Sequence, residues 1–376
     1  MKTDGYTYIS NRIKQFYPGQ EGLYYGTILP GYLGGKDPLD GIEIWESEKG
    51  CPHWLYVTYG FTDLYPDDDE DAEDDEDIDA CDITNNNENH DENDTMEAEN
   101  DSDDDDEPVS GFGFELTFRL KRGSEDTPPG WPMNLLQNLA RYVFSTGNTF
   151  DSGHYLNANG PIALETDTQL TCLGFLTDPE LGTINTVNGS MIFLEAIGIT
   201  EDEHNSMMCW SGENFLNELL KYIPYGISDL SRSSLMSRPE FRHAWEQGVA
   251  HDGSSTSLLY LSELTASLDT NKGYLQLSAG HIEQIVTLLR ARIRKDRPFV
   301  LQCNDTVVCF EHAQQPAIDT DNDAVIISLT QENLDEICQL LKPHVGTYLM
   351  KTMPLTIEVV PTYIRDQDGA VIQTIE

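Results

Sequence analysis

The sequence predicts an α+β protein of two mixed lobes, on three observations. Its 376 residues suit two domains with something to spare. Strand-like and helix-like apolar patterns follow one another irregularly, unlike a repeating βαβ chain. A long acidic stretch falls between two strand-like runs and divides the first lobe without ending it. We place the first lobe at residues 1–255, with a disordered acidic insert at 66–108, and a smaller α+β lobe at 256–376.

In chain order, the Tyr- and Gly-rich first 40 residues read as a turn-rich lead-in to a strand at Ile42-Glu43-Ile44-Trp45. Trp54 to Tyr59 reads as a second strand. From Phe112 to Leu120 every second residue is apolar, the period of a half-buried strand. Pro128-Pro129-Gly130 marks a loop. Leu135, Leu136, Leu139 and Val143 share one helical face, and Pro132 suits its first turn. Ser190 to Ile199 is a strand. Thr200 with Glu203 three residues on forms a capping-box signature, so a helix starts there, and Phe215, Leu216, Leu219 and Leu220 mark another. Polar clusters at Ser228–Ser237 and Asp252–Ser255 follow, and the second sets the lobe boundary.

Beyond it, Leu258–Leu261 and Tyr274–Leu277 are short strands, and Ile282, Ile285, Val286, Leu289 and Ile293 form a helical stripe. Phe299–Cys303 and Thr306–Phe310 flank Asn304-Asp305 as a hairpin. Ala324–Leu329 is a strand, Thr330 caps a helix through Leu341, and Leu355–Val360 precedes a last hairpin turning at Asp366–Gly369.

The charge is uneven. Residues 67–107 hold 24 acidic and no Lys or Arg side chains, while the other 335 residues hold 22 basic and 42 acidic ones, a formal charge of −20. The stretch has too few apolar side chains to offset the entropy of ordering it, and its charges repel. A solvated tract is its bland reading; attraction of a basic partner is the functional one. At −44 overall, the chain repels phosphate backbones and anionic bilayers, so neither nucleic acid nor membrane is an expected partner. No run is apolar enough to span a bilayer and Met1–Tyr6 lacks a secretion signal, so a cytoplasmic, monomeric protein is expected. Seven scattered cysteines without CxxC read as free thiols.

No catalytic motif stands out. Gly34-Gly35-Lys36 lacks the first glycine and the hydroxyl of a phosphate loop. Asp319-Thr320-Asp321-Asn322-Asp323 opens like a calcium loop, but Ala324 and Thr330 occupy the positions of the needed Gly and Glu, so a polar turn is the reading. Cys303 and Cys309 sit across the predicted hairpin, too few for zinc. His53 and His154 read as structural histidines. No cofactor and no metal are expected. The aromatic residues of the first lobe are more suggestive: any exposed subset, among Tyr56, Phe61, Phe114, Tyr142, Phe144 and Phe150, makes a rigid contact surface at low entropic cost.

Several segments together resemble the suppressor of fused family. They are Leu33 to Asp40, His53-Trp54, Tyr59 to Tyr65, Ser110 to Lys121, Trp131-Pro132, Leu139 to Phe144 and Asn148-Thr149-Phe150. The match runs from about residue 30 to 153 and is fainter beyond. The resemblance implies a non-enzymatic binding protein whose two lobes clamp a peptide as an added strand, as animal members do with a zinc-finger transcription factor; bacterial relatives are thought to be immunity proteins against toxins. It places the peptide contacts on Tyr142 and Phe150, and a contacting Asp of the family on His154, with Asp151 close by. The insert in the first lobe and the missing C-terminal regulatory segment point to a microbial member. The expectation is therefore a module that sequesters a protein or peptide partner, as a toxin-immunity protein. The alternatives are a negative regulator that binds a transcription-factor-like segment, and a hydrolase with a site between the lobes.

Overall fold

The computed structural model describes residues 4–28, 35–65, 108–322, 324–365 and 371–375. The expected acidic insert, apart from Pro108, lies outside these residues, as do part of the Leu33–Asp40 segment, Asp323, Cys81 and the turn at Asp366–Gly369.

The expected turn-rich lead-in is instead a helix, α1 (Gly5–Phe16), capped by Asp4, whose Oδ1 accepts the Thr7 N–H at 2.8 Å. Ile9, Ile13 and Tyr17 recur every four residues and bury one stripe. That periodicity outweighs the Gly and Tyr content around it. Strands β1 (Leu23–Gly26), β2 (Gly41–Ser47), β3 (His53–Tyr59) and β4 (Val109–Lys121) follow, then helix α2 (Trp131–Thr146). Strands β5 (Tyr155–Asn157), β6 (Leu170–Thr177), β7 (Thr183–Thr186) and β8 (Gly189–Thr200) complete one sheet. Its order is β1-β2-β3-β4-β8-β6-β5, with β7 also on β8, and only the β4–β8 pairing is parallel. Helix α2 covers one face through Leu136, Leu139, Ala140 and Val143. On the other face, α1 packs on Trp45, Val57 and Phe193. Helices α3 (Glu201–Met208) and α4 (Gly212–Leu219) cover Cys172, Ile197 and Ile199. The Thr200 N–H reaches Glu203 Oε2 at 2.9 Å, as the capping signature predicted. Helix α5 (Pro239–Asp252) packs Phe241 against Phe215 of α4.

The half-buried reading of residues 112–120 is corrected. β4 lies inside the sheet with both faces covered, so Glu115, Thr117 and Arg119 are fully buried along with Phe114, Leu116 and Phe118. Buried charge must be paired. Arg119 reaches Asp178 at 2.6 Å and Glu180 at 3.0 Å, and also bonds Glu195. Burial works to raise the Asp178 carboxyl, but the Arg119 charge and hydrogen bonds hold it at about 2. Burial pushes Glu195 well above the carboxylate range. Glu115 binds the chain leaving β3: its Oε1 accepts the N–H groups of Gly60, Phe61 and Thr62 at 2.9–3.1 Å. Burial nevertheless pushes its carboxyl up to about 7.

The second lobe opens with β9 (Leu258–Tyr260), β10 (Leu264–Asp269), β11 (Lys272–Ser278) and helix α6 (Ile282–Ile293). Strands β12 (Phe299–Cys303), β13 (Thr306–His312), β14 (Ala317–Asp321) and β15 (Ala324–Leu329) follow, then α7 (Gln331–Leu340) under its Thr330 cap. Last come β16 (Gly346–Leu349), β17 (Leu355–Val360) and the paired β18 (Thr362–Arg365) and β19 (Val371–Ile375). One sheet runs β14-β15-β13-β12-β9 and another β10-β11-β17-β16. Ile285, Leu289, Phe299, Phe310, Ile327, Leu334 and Ile357 share their core. One expectation fails here. The residues read as a polar turn at Asp319–Asp321 pair with β15 as an edge strand, since an exposed edge tolerates acidic side chains. Cys309 stands opposite Val300, not Cys303, because the two-residue turn sets the register and faces Cys303 with Thr306. The six described cysteines are free thiols. The fold is thus α+β, with mixed sheets in both lobes. Among the described residues, no helix is long and apolar enough to cross a membrane.

Candidate functional site

Helix α2 stops at Gly147, whose φ of 73° suits a left-handed cap, and Phe150 then turns back onto the sheet. Its ring stacks on Phe175 at 4.2 Å and carries Tyr142 at 5.7 Å on its other side. Phe150 is only 7% exposed and belongs to the core, whereas Tyr142 is 38% exposed. A tight turn follows. The Asp151 N–H donates to His154 Nδ1 at 3.1 Å, and the His154 N–H donates to the Asp151 carbonyl at 3.0 Å. At its Gly153, φ is 85° and a Cβ would stand 2.9 Å from the Glu213 nitrogen, so only glycine lets α4 approach.

The turn feeds β5, at the end of the sheet. Ala158 donates to the Thr171 carbonyl and Phe175 to that of His154, so the even-numbered residues bond β6. By antiparallel alternation, the N–H and C=O groups of Tyr155 and Asn157 point outward. Among the described residues no strand pairs with them. Across the gap, the chain at the lobe boundary is held from both sides. Buried Ser254 donates its hydroxyl to the Met208 carbonyl at 2.7 Å and accepts Arg292 on its own carbonyl at 2.7 Å. Thr256 meets the Tyr155 hydroxyl at 3.0 Å. These bonds fix where β9 begins. There Val300 donates to Ser257 and Leu261 to Gln302, which leaves the backbone groups of Leu258 and Tyr260 pointing away from β12. β9 too ends its sheet.

A groove of about 480 Å³ lies between β5 and the Ser255-Thr256 segment that leads into β9. Tyr142, Phe150, His154, Tyr155, Glu213 and Thr256 are among its lining, and no Lys or Arg joins them among the described residues. The structure therefore brings Tyr142, Phe150 and His154 together, with Asp151 bonded behind His154 rather than lining the groove. It does not bring His53 there. That ring is buried on β3, its Nδ1 at 2.8 Å from the Cys51 carbonyl, and burial lowers its pKa. Sequence reasoning missed Tyr155, Glu213 and Thr256. The polar run Asp252–Ser255, which the sequence offers only as a lobe boundary, is the signal nearest to them. The strongly shifted carboxylates Glu115, Asp178 and Glu195 sit inside the sheet and line no part of the groove.

Fold and groove define the class: a two-lobed α+β protein with a free sheet edge at the junction. A family model described as "Suppressor of fused protein (SUFU)" matches residues 89–233, which include the Tyr142–His154 wall. The mouse suppressor of fused homolog is 32% identical over 264 residues, 66% of this chain and 48% of that protein, so the chain spans about half the length of this curated relative. The crystal structure of Drosophila suppressor of fused superposes with a TM-score of 0.72 at 20% identity, covering 94% of this chain and 96% of that one. A chain of the Sufu–Fu complex crystal structure superposes with a TM-score of 0.52 at 27% identity, covering 65% of this chain and 97% of that one. The chain belongs to the suppressor of fused family.

Proposed function

We propose that this protein is a non-enzymatic module that sequesters a partner polypeptide, held extended between the edges of β5 and β9. The observation that carries this is the free β5 edge on an aromatic-lined groove whose far side is Ser255 and Thr256, the residues that lead into the free edge strand β9. An incoming strand completes the outward donors and acceptors of Tyr155 and Asn157, and backbone bonds then supply affinity while side-chain pockets supply selectivity. Tyr142 on its Phe150–Phe175 stack gives a rigid wall, and His154, steadied by Asp151, gives a polar contact. An acid-rich chain with Glu213 in the groove favours a basic segment. That a solved relative is described in a complex with Fu favours a protein as the partner class. The acid excess equally suits a basic toxin, the immunity reading, which requires tight binding to the product of an adjacent gene.

Titration calorimetry with partner-derived peptides tests the proposal. Asn157→Pro deletes an outward donor and leaves the β6 ladder whole. It should weaken binding at least tenfold while the melting temperature falls by only a few degrees, since the proline also removes the exposed bond from the Asn159 N–H to Asn157 Oδ1. Undiminished binding to this variant refutes strand addition at β5.

A further inference from the structure

A second groove, of about 510 Å³, adjoins the first and shares Tyr142 and Leu156 with it. Trp131, Leu135 and Leu139 of α2 form one wall, and Ile162 and Leu164 the other. Glu165 is the one charged residue in the lining; Asn134, Asn138 and Asn157 add amide groups among side chains that are otherwise mainly apolar. Leu164 is 80% exposed, a large apolar side chain left in water beside a mainly apolar trough.

The groove lies on a definite side of β5. Leu156 packs with the α2 core, while Tyr155 packs with the clusters on the opposite face and in the second lobe. A strand laid along β5 alternates in the same way, so every second side chain falls on the α2 side. Trp131 to Tyr142 is a wall of about 16 Å at about 1.5 Å per helical residue. A segment running along that wall would cover it with about five strand residues at about 3.3 Å each, three of them facing α2, and would extend past the three residues of β5.

We propose that the partner segment carries apolar side chains at three alternate positions, i, i+2 and i+4, and that the α2 groove selects it by them. The inference rests on the β5-edge reading and deepens it. The intervening residues face the second lobe and are polar or basic. Acidic residues at the alternate positions are rejected, because they would lose water beside Glu165 in a trough without a cation among the described residues.

The test is selection of a phage-displayed library of random 12-residue peptides on the full chain. Enriched peptides are then titrated by fluorescence anisotropy against the parent protein, Leu164→Glu and Asn157→Pro. The expected result is enrichment of the alternate apolar pattern, with Leu164→Glu weakening binding tenfold or more at unchanged melting temperature. Peptides that depend on Asn157 but lack the pattern, or that bind Leu164→Glu as tightly as the parent, overturn the inference and leave strand addition standing. Enriched peptides indifferent to Asn157→Pro, or no enrichment at all, overturn both.

Discussion

Replacing Arg119 by Met takes the guanidinium away from Asp178, Glu180 and Glu195, three carboxyl groups in or next to a water-free sheet interior. Met fills much of the volume, so the loss is chiefly electrostatic. Removing one partner of a buried ion pair costs about 3–5 kcal/mol, a large part of the roughly 5–15 kcal/mol by which a domain is stable. The pH dependence has a definite sign. The folded-state pKa of Asp178 is depressed from 3.8 to about 2, so its contribution is present above pH 3.8 and lost as the pH falls towards 2. That contribution is about 2.5 kcal/mol. The gap between parent and variant should therefore be widest near pH 7 and narrow on acidification. Urea unfolding followed by tryptophan fluorescence at pH 7 and at about pH 2.5, inside the window where Asp178 loses its contribution, measures it. Arg119→Lys keeps the charge and loses the planar fork, so it should fall between the two. A Met variant within about 1 kcal/mol of the parent at pH 7, or a gap that widens in acid, would refute the reasoning. If the Met variant does not fold, the Lys variant decides: a loss that does not shrink in acid counts against the ion cluster.

Glu115 should behave in the opposite sense. Its pKa is raised from 4.5 to about 7, so its contribution is complete below pH 4.5 and is lost as the pH rises through 7; Glu115→Gln should gain on the parent by about 3 kcal/mol between pH 4.5 and 8 in urea titrations. Tyr142→Ala should weaken partner binding at a stability cost of about 1 kcal/mol or less, whereas Phe150→Ala, which empties a core stack, should cost about 3–5 kcal/mol in addition to any binding loss, as thermal melts and calorimetry would show. Replacing residues 67–107 by a short Gly–Ser linker should shift the melting temperature by only a few degrees. The flanks are already stitched, Asp63 N–H to Ser110 Oγ at 3.0 Å and Gly111 N–H to Asp63 Oδ2 at 2.8 Å, and a drop beyond about 10 °C would contradict this.

Much of the secondary structure was legible because its causes are local. Thr200 with Glu203, and Thr330 with Asn333, satisfy helix N-termini within four residues, and the stripe from Ile282 to Ile293 needs only its own spacing. The Asn304-Asp305 turn gave the β12–β13 hairpin in the same way. The first helix escaped notice because Gly5, Tyr6 and Tyr8 are weak helix formers, and what decides the segment is the burial of Ile9 and Ile13 against β2 and β3.

The candidate site was far less legible. Tyr142, Phe150 and His154 entered through resemblance to a family, and nothing in their spacing separates an exposed aromatic from a core one. The structure shows Tyr142 open to water and Phe150 sealed beneath it. The opposite wall comes from Ser255 and Thr256, more than 100 residues away.

From the sequence alone came the α+β class, the acid excess and the register of local turns and caps, because periodicity, composition and capping act over a few residues. Tertiary structure alone decided that Glu115 and Arg119 face protein instead of water, that β5 and β9 are the ends of their sheets, and that Leu164 stands uncovered beside α2. Which side of an element is covered depends on parts of the chain that are distant in sequence, and alternation along one strand carries no record of what packs against it.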